Sequence, residues 1–221
     1  MILKKIIKNN YCLLQMGGGI RKIARRLKNK NNHFQIGPGA VKLQRKIMGS
    51  NNNVTIEPGC TIHNLKIQIN GNNNQVYIGK NCVIGPKCSI WIEGSNSTVT
   101  IGEHTTMTLL CHINCQEDNR KITIGDDCML SNNIIIRTSD SHPIYDIDTN
   151  QRLNPAKDVV IGSHVWIAPK STIMKGANIS NGCIIGSDTM VSKSVPENSL
   201  AVGHPAKVVK QNIRWTREKI F

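Results

Sequence analysis

Six residues separate Ile161 from Ile167, and the same step carries the pattern through Ile173, Ile179, Ile185 and Val191. Four positions after each comes Val165, Ser171, Ala177, Cys183, Thr189 and Val195, all small or of valine size. A period of six fits neither the helical period of about 3.6 nor the plain alternation of a free strand. It is the hexapeptide period of a parallel β-helix, in which three short strands and three turns make a coil of about eighteen residues. The chain is therefore expected to be all-β, an elongated stack in which each coil buries its neighbour's apolar face.

Looser copies lie upstream. Ile78-Gly-Lys-Asn-Cys82 is followed by Ile84-Gly-Pro-Lys-Cys88, then Ile90; Ile101-Gly-Glu-His-Thr105 and Ile124-Gly-Asp-Asp-Cys128 repeat the motif, and weaker copies begin at Ile36 and Ile56. The intervals Ile56–Ile78, Ile78–Ile101 and Ile101–Ile124 are 22, 23 and 23 residues. These read as coils widened by turns such as Gly71-Asn72-Asn73-Asn74 and Gly94-Ser95-Asn96-Ser97, since Gly and Asn tolerate the positive φ of tight corners. A chain that is 39% hydrophobic but only 4% aromatic suits a narrow core with little room for rings. Of the eight cysteines, Cys60, Cys82, Cys88, Cys111, Cys128 and Cys183 fall at the small position after an apolar anchor. They read as reduced core groups rather than a disulfide framework. Strand alternation turns Cys111 inward and His112 outward, which argues against a zinc site in Cys111-His112-Ile113-Asn114-Cys115.

The net charge of +14 is uneven: residues 1–50 hold twelve Lys/Arg and no acid, whereas residues 51–221 hold sixteen against fourteen acids. Ile20, Ile23, Ala24 and Leu27 recur at helical spacing among Arg21, Lys22, Arg25, Arg26 and Lys28. Residues 1–33 are thus expected to form a basic helical segment, 34–210 the β-helix with residues 137–158 inserted, and 211–221 a tail. No run reaches the roughly 20 apolar residues of a spanning helix, and the early apolar stretch is too interrupted for a signal peptide. A cytoplasmic protein is expected. The basic segment is either a cap over the first coil or a peripheral contact, through residues 1–30, with an anionic membrane at the inner face of the cytoplasmic membrane. No nucleic-acid partner is expected.

The hexad rhythm breaks between Ile136 and Ile161, where about nineteen residues exceed a single hexad, from Arg137 to Asp158. So long an insertion in an ordered domain usually serves a function. It contains Asp140-Ser141-His142-Pro143 and rejoins the repeat just before an outward tryptophan, Trp166. His164 and His204 read as solvated corners.

With that loop, the segment Val160 to Ile167 and the ending Gly203-His204-Pro205-Ala206-Lys207 in hand, the chain resembles the hexapeptide-repeat acyltransferases over residues from about 120 to 210. Those are left-handed parallel β-helices that use acetyl-CoA and act as homotrimers. The wide Asn-rich coils, His142-Pro143-Ile144-Tyr145 and the tail Lys210-Gln211-Asn212-Ile213-Arg214-Trp215 are most similar to capsular polysialic acid O-acetyltransferases. The resemblance implies that His142 is the general base and that Trp166 lies along the cofactor arm, with Asp140 in a position to orient the imidazole. It places Asn133 and Tyr145 at the acceptor, Ser187, Ser192 and Lys193 along the pantetheine groove, and Lys207 and Lys210 at the nucleotide phosphates. No metal is implied. One departure stands out. The third residue after the tryptophan, which offers a backbone N–H to the thioester oxygen in sugar acetyltransferases, is here Pro169, which has none. The Ala168 amide and the Trp166 indole are the two candidate replacements.

The function expected is acetyl-CoA-dependent O-acetylation of a capsular or other cell-surface polysaccharide, with sialic acid a candidate sugar, or of its lipid-linked oligosaccharide precursor. Two other readings stand beside it: N-acetylation of a nucleotide-linked amino sugar and a non-catalytic β-helical scaffold. A zinc carbonic anhydrase of the same fold would need three converging histidines, which the sequence does not offer.

Overall fold

The computed structural model describes residues 31–220. The expected basic helix lies outside the described residues up to residue 30, and the first strand begins at His33. Every strand pair is parallel except the hairpin of Leu200–Val202 with Lys207–Lys210 and an isolated bridge between Tyr145 and Arg152. The strands wind into a three-sided β-helix. Ile36, Ile56, Ile78, Ile101, Ile124, Ile161, Ile179 and Val195 stack in register down the first face. Ile62, Ile84, Met107, Leu130, Ile167, Ile185 and Ala201 form the second face. Ile67, Ile90, Ile113, Ile136, Ile173 and Val191 form the third. The 22- and 23-residue intervals read from the sequence are the observed pairings.

The end of the repeat differs from the expectation. Val191 pairs with Ile173, but Val195 pairs with Ile179 and Ala201 with Ile185, so the last coil has 16 residues instead of eighteen. Val195 is a core anchor of the first face, not the small corner residue that the hexad count made it. The chain shortens the turn between the third and first faces, where Ser192, Lys193 and Ser194 are exposed.

The corners show why small polar residues belong there. Cys60, Cys82, Thr105 and Cys128 stack at one corner, and each directs its thiol or hydroxyl at a carbonyl of the next coil: Gly79, Gly102, Gly125 and Gly162, at 3.0–3.1 Å. The seven described cysteines are buried free thiols, and burial pushes Cys82 and Cys115 up to about 12 and Cys128 to about 11. Cys88 is the exception, held down by its hydrogen bond with the Cys111 thiol. It is nonetheless 1% exposed, and the other thiols carry little of the reactive thiolate. At the wide corner Asn52 and Asn74 are fully buried. Asn52 Nδ2 donates to Gly71 O (3.0 Å) and Asn74 Nδ2 to Gly94 O (2.9 Å), while their oxygens accept the backbone N–H of Asn74 and Ser97. The Asn-rich turns are therefore core hydrogen-bonding columns as well as conformational relief at Asn73 (φ 57°) and Asn96 (φ 58°).

Candidate active site

The inserted loop leaves the third face after Arg137 and returns to the first at Val159. Its root is fastened to the preceding coil. Thr138 is buried and exchanges two hydrogen bonds with the Gln116 backbone, at 2.8 and 2.9 Å, and Ser139 Oγ donates to Glu117 at 2.7 Å. Further out, residues 144–153 fold back on themselves, with Asp146 capping the tip by accepting from Thr149 N and Oγ1, each at 2.8 Å. Arg152 grips Glu117 with both guanidinium nitrogens, at 2.6 and 2.7 Å. This pairing holds the Glu117 carboxyl down at about 2, against an ordinary 4.5.

His142 is exposed on this loop. Its carbonyl, not its ring, is held: Asn154 Nδ2 donates to His142 O (2.9 Å) and to Asp140 Oδ2 (2.9 Å), and Asn154 Oδ1 accepts from Ile144 N at 2.7 Å. Asp140 is ion-paired with Lys175, whose ammonium holds the carboxyl below its usual range. The Asp140 carboxylate thus serves Lys175 and Asn154, and within this chain no hydrogen bond joins it to the His142 imidazole. The expectation that it orients the ring is replaced by a chain of contacts, Lys175–Asp140–Asn154, that fixes the backbone carrying His142. Sequence reading missed Asn154 and Lys175. Lys175 occupies an ordinary turn position of its hexad, and nothing local marks its partner 35 residues away.

Trp166 sits on the second face, paired with Met129 and Ile184. It is less open than its outward position suggested, because the C-terminal tail climbs this wall of the helix. Trp215 is 7% exposed, lies 6.1 Å from the Trp166 ring and stacks on His164 at 4.1 Å and 8°. His164 is a part-exposed corner, 41% at its side chain, but both of its ring nitrogens are held. Its Nδ1 meets Asp127 Oδ2 (2.6 Å), its Nε2 meets Trp215 O (3.1 Å), and its carbonyl accepts the Trp215 indole N–H (2.9 Å). Arg217 completes the clasp on Asp127 at 2.7 Å. Burial raises the Asp127 carboxyl, but the hydrogen bonds from His164 and Arg217 outweigh it, and the net shift is downward.

The two candidate oxyanion donors separate cleanly. The Ala168 N–H already donates to Ile185 O at 2.8 Å within the coil ladder, so it is spent. Trp166 Nε1 is enclosed and has no acceptor, an unusual state for a buried donor and one that calls for an explanation.

Asn133 holds a left-handed corner (φ 59°) next to Lys170 (φ 62°), whose N–H bonds Asn132 O at 2.9 Å. Ser192, Lys193 and Lys207 share a cavity of about 210 Å³ walled by Pro205, Ala206 and Val208. Ser187 and Lys210 lie outside its lining, with Ser187 on the exposed turn after Ile184–Ile185 and Lys210 paired with Leu200. Tyr145 lies on the folded-back loop, 53% exposed, beside Ile144, Ile147 and Leu153 at 56, 97 and 61%. His142 lies on the loop between the third and first faces, whereas Trp166 lies on the second. Among the described residues, no group of His, Cys, Asp and Glu could hold a metal ion.

No protein-family model matches the chain. A polysialic acid O-acetyltransferase of Escherichia coli O1:K1 / APEC is 43% identical over 91 residues, 41% of this chain and 30% of that protein. The crystal structure of the polySia-specific acetyltransferase NeuO matches with a TM-score of 0.71 and 35% identity, over 86% of this chain and 87% of that one. This chain belongs to the hexapeptide-repeat acetyltransferase family. Within that family, the polysialic acid O-acetyltransferase OatWY matches with a TM-score of 0.66 and 33% identity, over 87% of this chain and 92% of that one. The chain spans less than half the length of the curated relatives it matches, at 30% and 43%.

Proposed function

We propose that this hexapeptide-repeat protein is an acetyl-CoA-dependent O-acetyltransferase whose acceptor is a hydroxyl of a sialylated or similar carboxylated surface polysaccharide. The observation that carries the reading is the loop. It is the one long interruption of the described repeat, and a dedicated set of contacts holds it so that His142 projects free. The names of the relatives supply the acceptor class.

His142 takes the proton of the attacking hydroxyl, a general-base role suited to an imidazole. Acetyl-CoA supplies the activated thioester. The Trp166 indole N–H, enclosed and without an acceptor, meets the oxygen on which negative charge develops once the wall around it opens to the donor. Attack is direct, and the thiols, all buried in the core, form no acyl-enzyme. Ser192, Lys193 and Lys207 suit the donor's outer part, two ammonium groups for phosphates beside an apolar wall. Asn133, Tyr145, Ser187 and Lys210 keep their sequence-derived roles in this scheme.

The acting unit is a homotrimer. Support comes from two sides: His142 lies on the loop between the third and first faces while Trp166 lies on the second, and the loop exposes Ile144, Tyr145, Ile147 and Leu153. A neighbouring copy in closed cyclic symmetry would cover that apolar tip and bring one chain's His142 to another's Trp166. The basic segment of residues 1–30 then serves peripheral contact with an anionic membrane, near a lipid-linked acceptor, on the cytoplasmic side. Among the described residues no helix is long and apolar enough to cross a membrane. A screen of acetyl-CoA turnover over defined oligosaccharides, sialylated ones first, tests the proposal. CoA release that depends on a sialylated acceptor is expected, and release only with amino sugars would overturn it.

A further inference from the structure

On a parallel sheet, outward side chains at matched register form rows that cross the strands at about 4.8 Å per step. On the third face one such row is Lys46, Gln68, Trp91, Asn114 and Arg137. Four steps make it about 19 Å long. The adjacent row holds Lys66, Ser89 and His112, with Ser89 Oγ and His112 Nδ1 2.8 Å apart. Between the rows opens a cavity of about 440 Å³ that Lys66, Trp91, His112 and Asn114 help to line. Arg137 ends the first row and donates to Ser139 O (2.7 Å) and Ser141 Oγ (3.3 Å), the residues just ahead of His142. The strip and the loop root are continuous.

The chemistry of the strip is selective. Amides and the Ser–His pair offer donors and acceptors suited to hydroxyls. The half-buried indole offers a flat apolar surface against which the C–H face of a pyranose ring packs. Its Nε1 is enclosed without an acceptor. Lys46 and Lys66 have no carboxylate partner among the described residues. Neither row contains an acid; Glu93 stands one row further, bonded to Gln116 at 3.3 Å. The larger cavity at the loop root, about 720 Å³, is lined by Glu93, Glu117 and Asp118 and repels a polyanion despite Arg120.

We propose that the third face is an extended acceptor strip. It binds several consecutive sugars of a carboxylated polysaccharide along the helix axis and feeds one of them to His142. This rests on the O-acetyltransferase reading above, whose acceptor is a polysaccharide, and specifies the surface along which that polymer is held. The test uses the full chain, with polysialic acid and a sialic acid trimer as alternative acceptors. Trp91→Ala and the double variant Lys46→Glu/Lys66→Glu should each raise KM for the polymer about tenfold while kcat falls less than twofold. Lys66→Arg should restore the wild-type KM in a Lys46-intact background. The double variant Lys80→Glu/Lys121→Glu, an equal charge change at exposed positions off this face, should not move it. The polymer's advantage over the trimer should shrink in both strip variants. Wild-type turnover with an unchanged polymer KM in both variants overturns the strip alone. Variants that no longer assemble by light scattering also overturn it, since the face is then a contact between copies of this chain. Absence of transfer to either acceptor by the wild type overturns the underlying activity.

Discussion

His142 is exposed and its ring has no hydrogen-bond partner among the described residues, so His142→Ala should leave the loop standing. Transfer should fall by about 10²–10⁴-fold, the usual worth of a general base, with an unchanged melting profile and unchanged CoA affinity; activity within a few-fold of wild type would remove it from the mechanism. Trp166→Phe keeps the ring's bulk beside Trp215 and deletes the unpartnered N–H. Loss of an oxyanion donor predicts a fall in kcat of about 10²–10³-fold with little change in KM for acetyl-CoA. Unaltered kcat would return the oxyanion to another donor. Both residues were legible in the sequence, one from the break in the hexads and one from the resemblance. Asn154 and Lys175 were not, because their importance lies in contacts between the loop and a coil distant in sequence. His164 was misread for a related reason. A corner residue with φ 55° is ordinarily solvated, and only the returning tail makes it the seat of Trp215.

The elements tell the same story at larger size. Ile56, Ile78, Ile101 and Ile124 announce their pairing by spacing alone, since each coil must place a branched residue above the last. The final 16-residue coil was hidden because two residues can vanish from a polar turn while Val195 still falls on the hexad count. The loop's attachment gives a pH test. The folded Glu117 carboxyl lies at about 2 against an ordinary 4.5. A depressed carboxyl contributes stability that is fully present above its ordinary value and lost only as pH falls through the folded one. Amide exchange across residues 138–158 should therefore show the same protection factors from about pH 5 to 8. Arg152→Ala should raise exchange there while the coils stay protected. A loop that already loosens near pH 6 would show that another group holds it.

At the scale of the whole molecule, the acidic residues are spent on corners and loop anchors, and the N-terminal third of the chain carries the excess positive charge. In the proposed membrane contact, each basic residue of 1–30 near an anionic surface would contribute about 1 kcal/mol, weakened as salt shortens the screening length. The intact protein should sediment with anionic liposomes at low salt and release at high salt, and removing residues 1–30 should abolish this yet spare turnover on a soluble acceptor. A truncated protein that precipitates, beside an intact one that ignores liposomes, would make the segment a cap. The fold was readable from its period, whereas assembly and acceptor depend on surfaces that a periodic sequence does not advertise. The most direct measurement is mass analysis of polysialic acid after incubation with acetyl-CoA and the full chain, with free CoA thiol counted in parallel. An acetyl ester is expected on the polymer, removed by mild alkali, equal in amount to the thiol released and missing with His142→Ala. Thiol release without any ester on the polymer, or an ester formed equally well by His142→Ala, would contradict the proposed transfer.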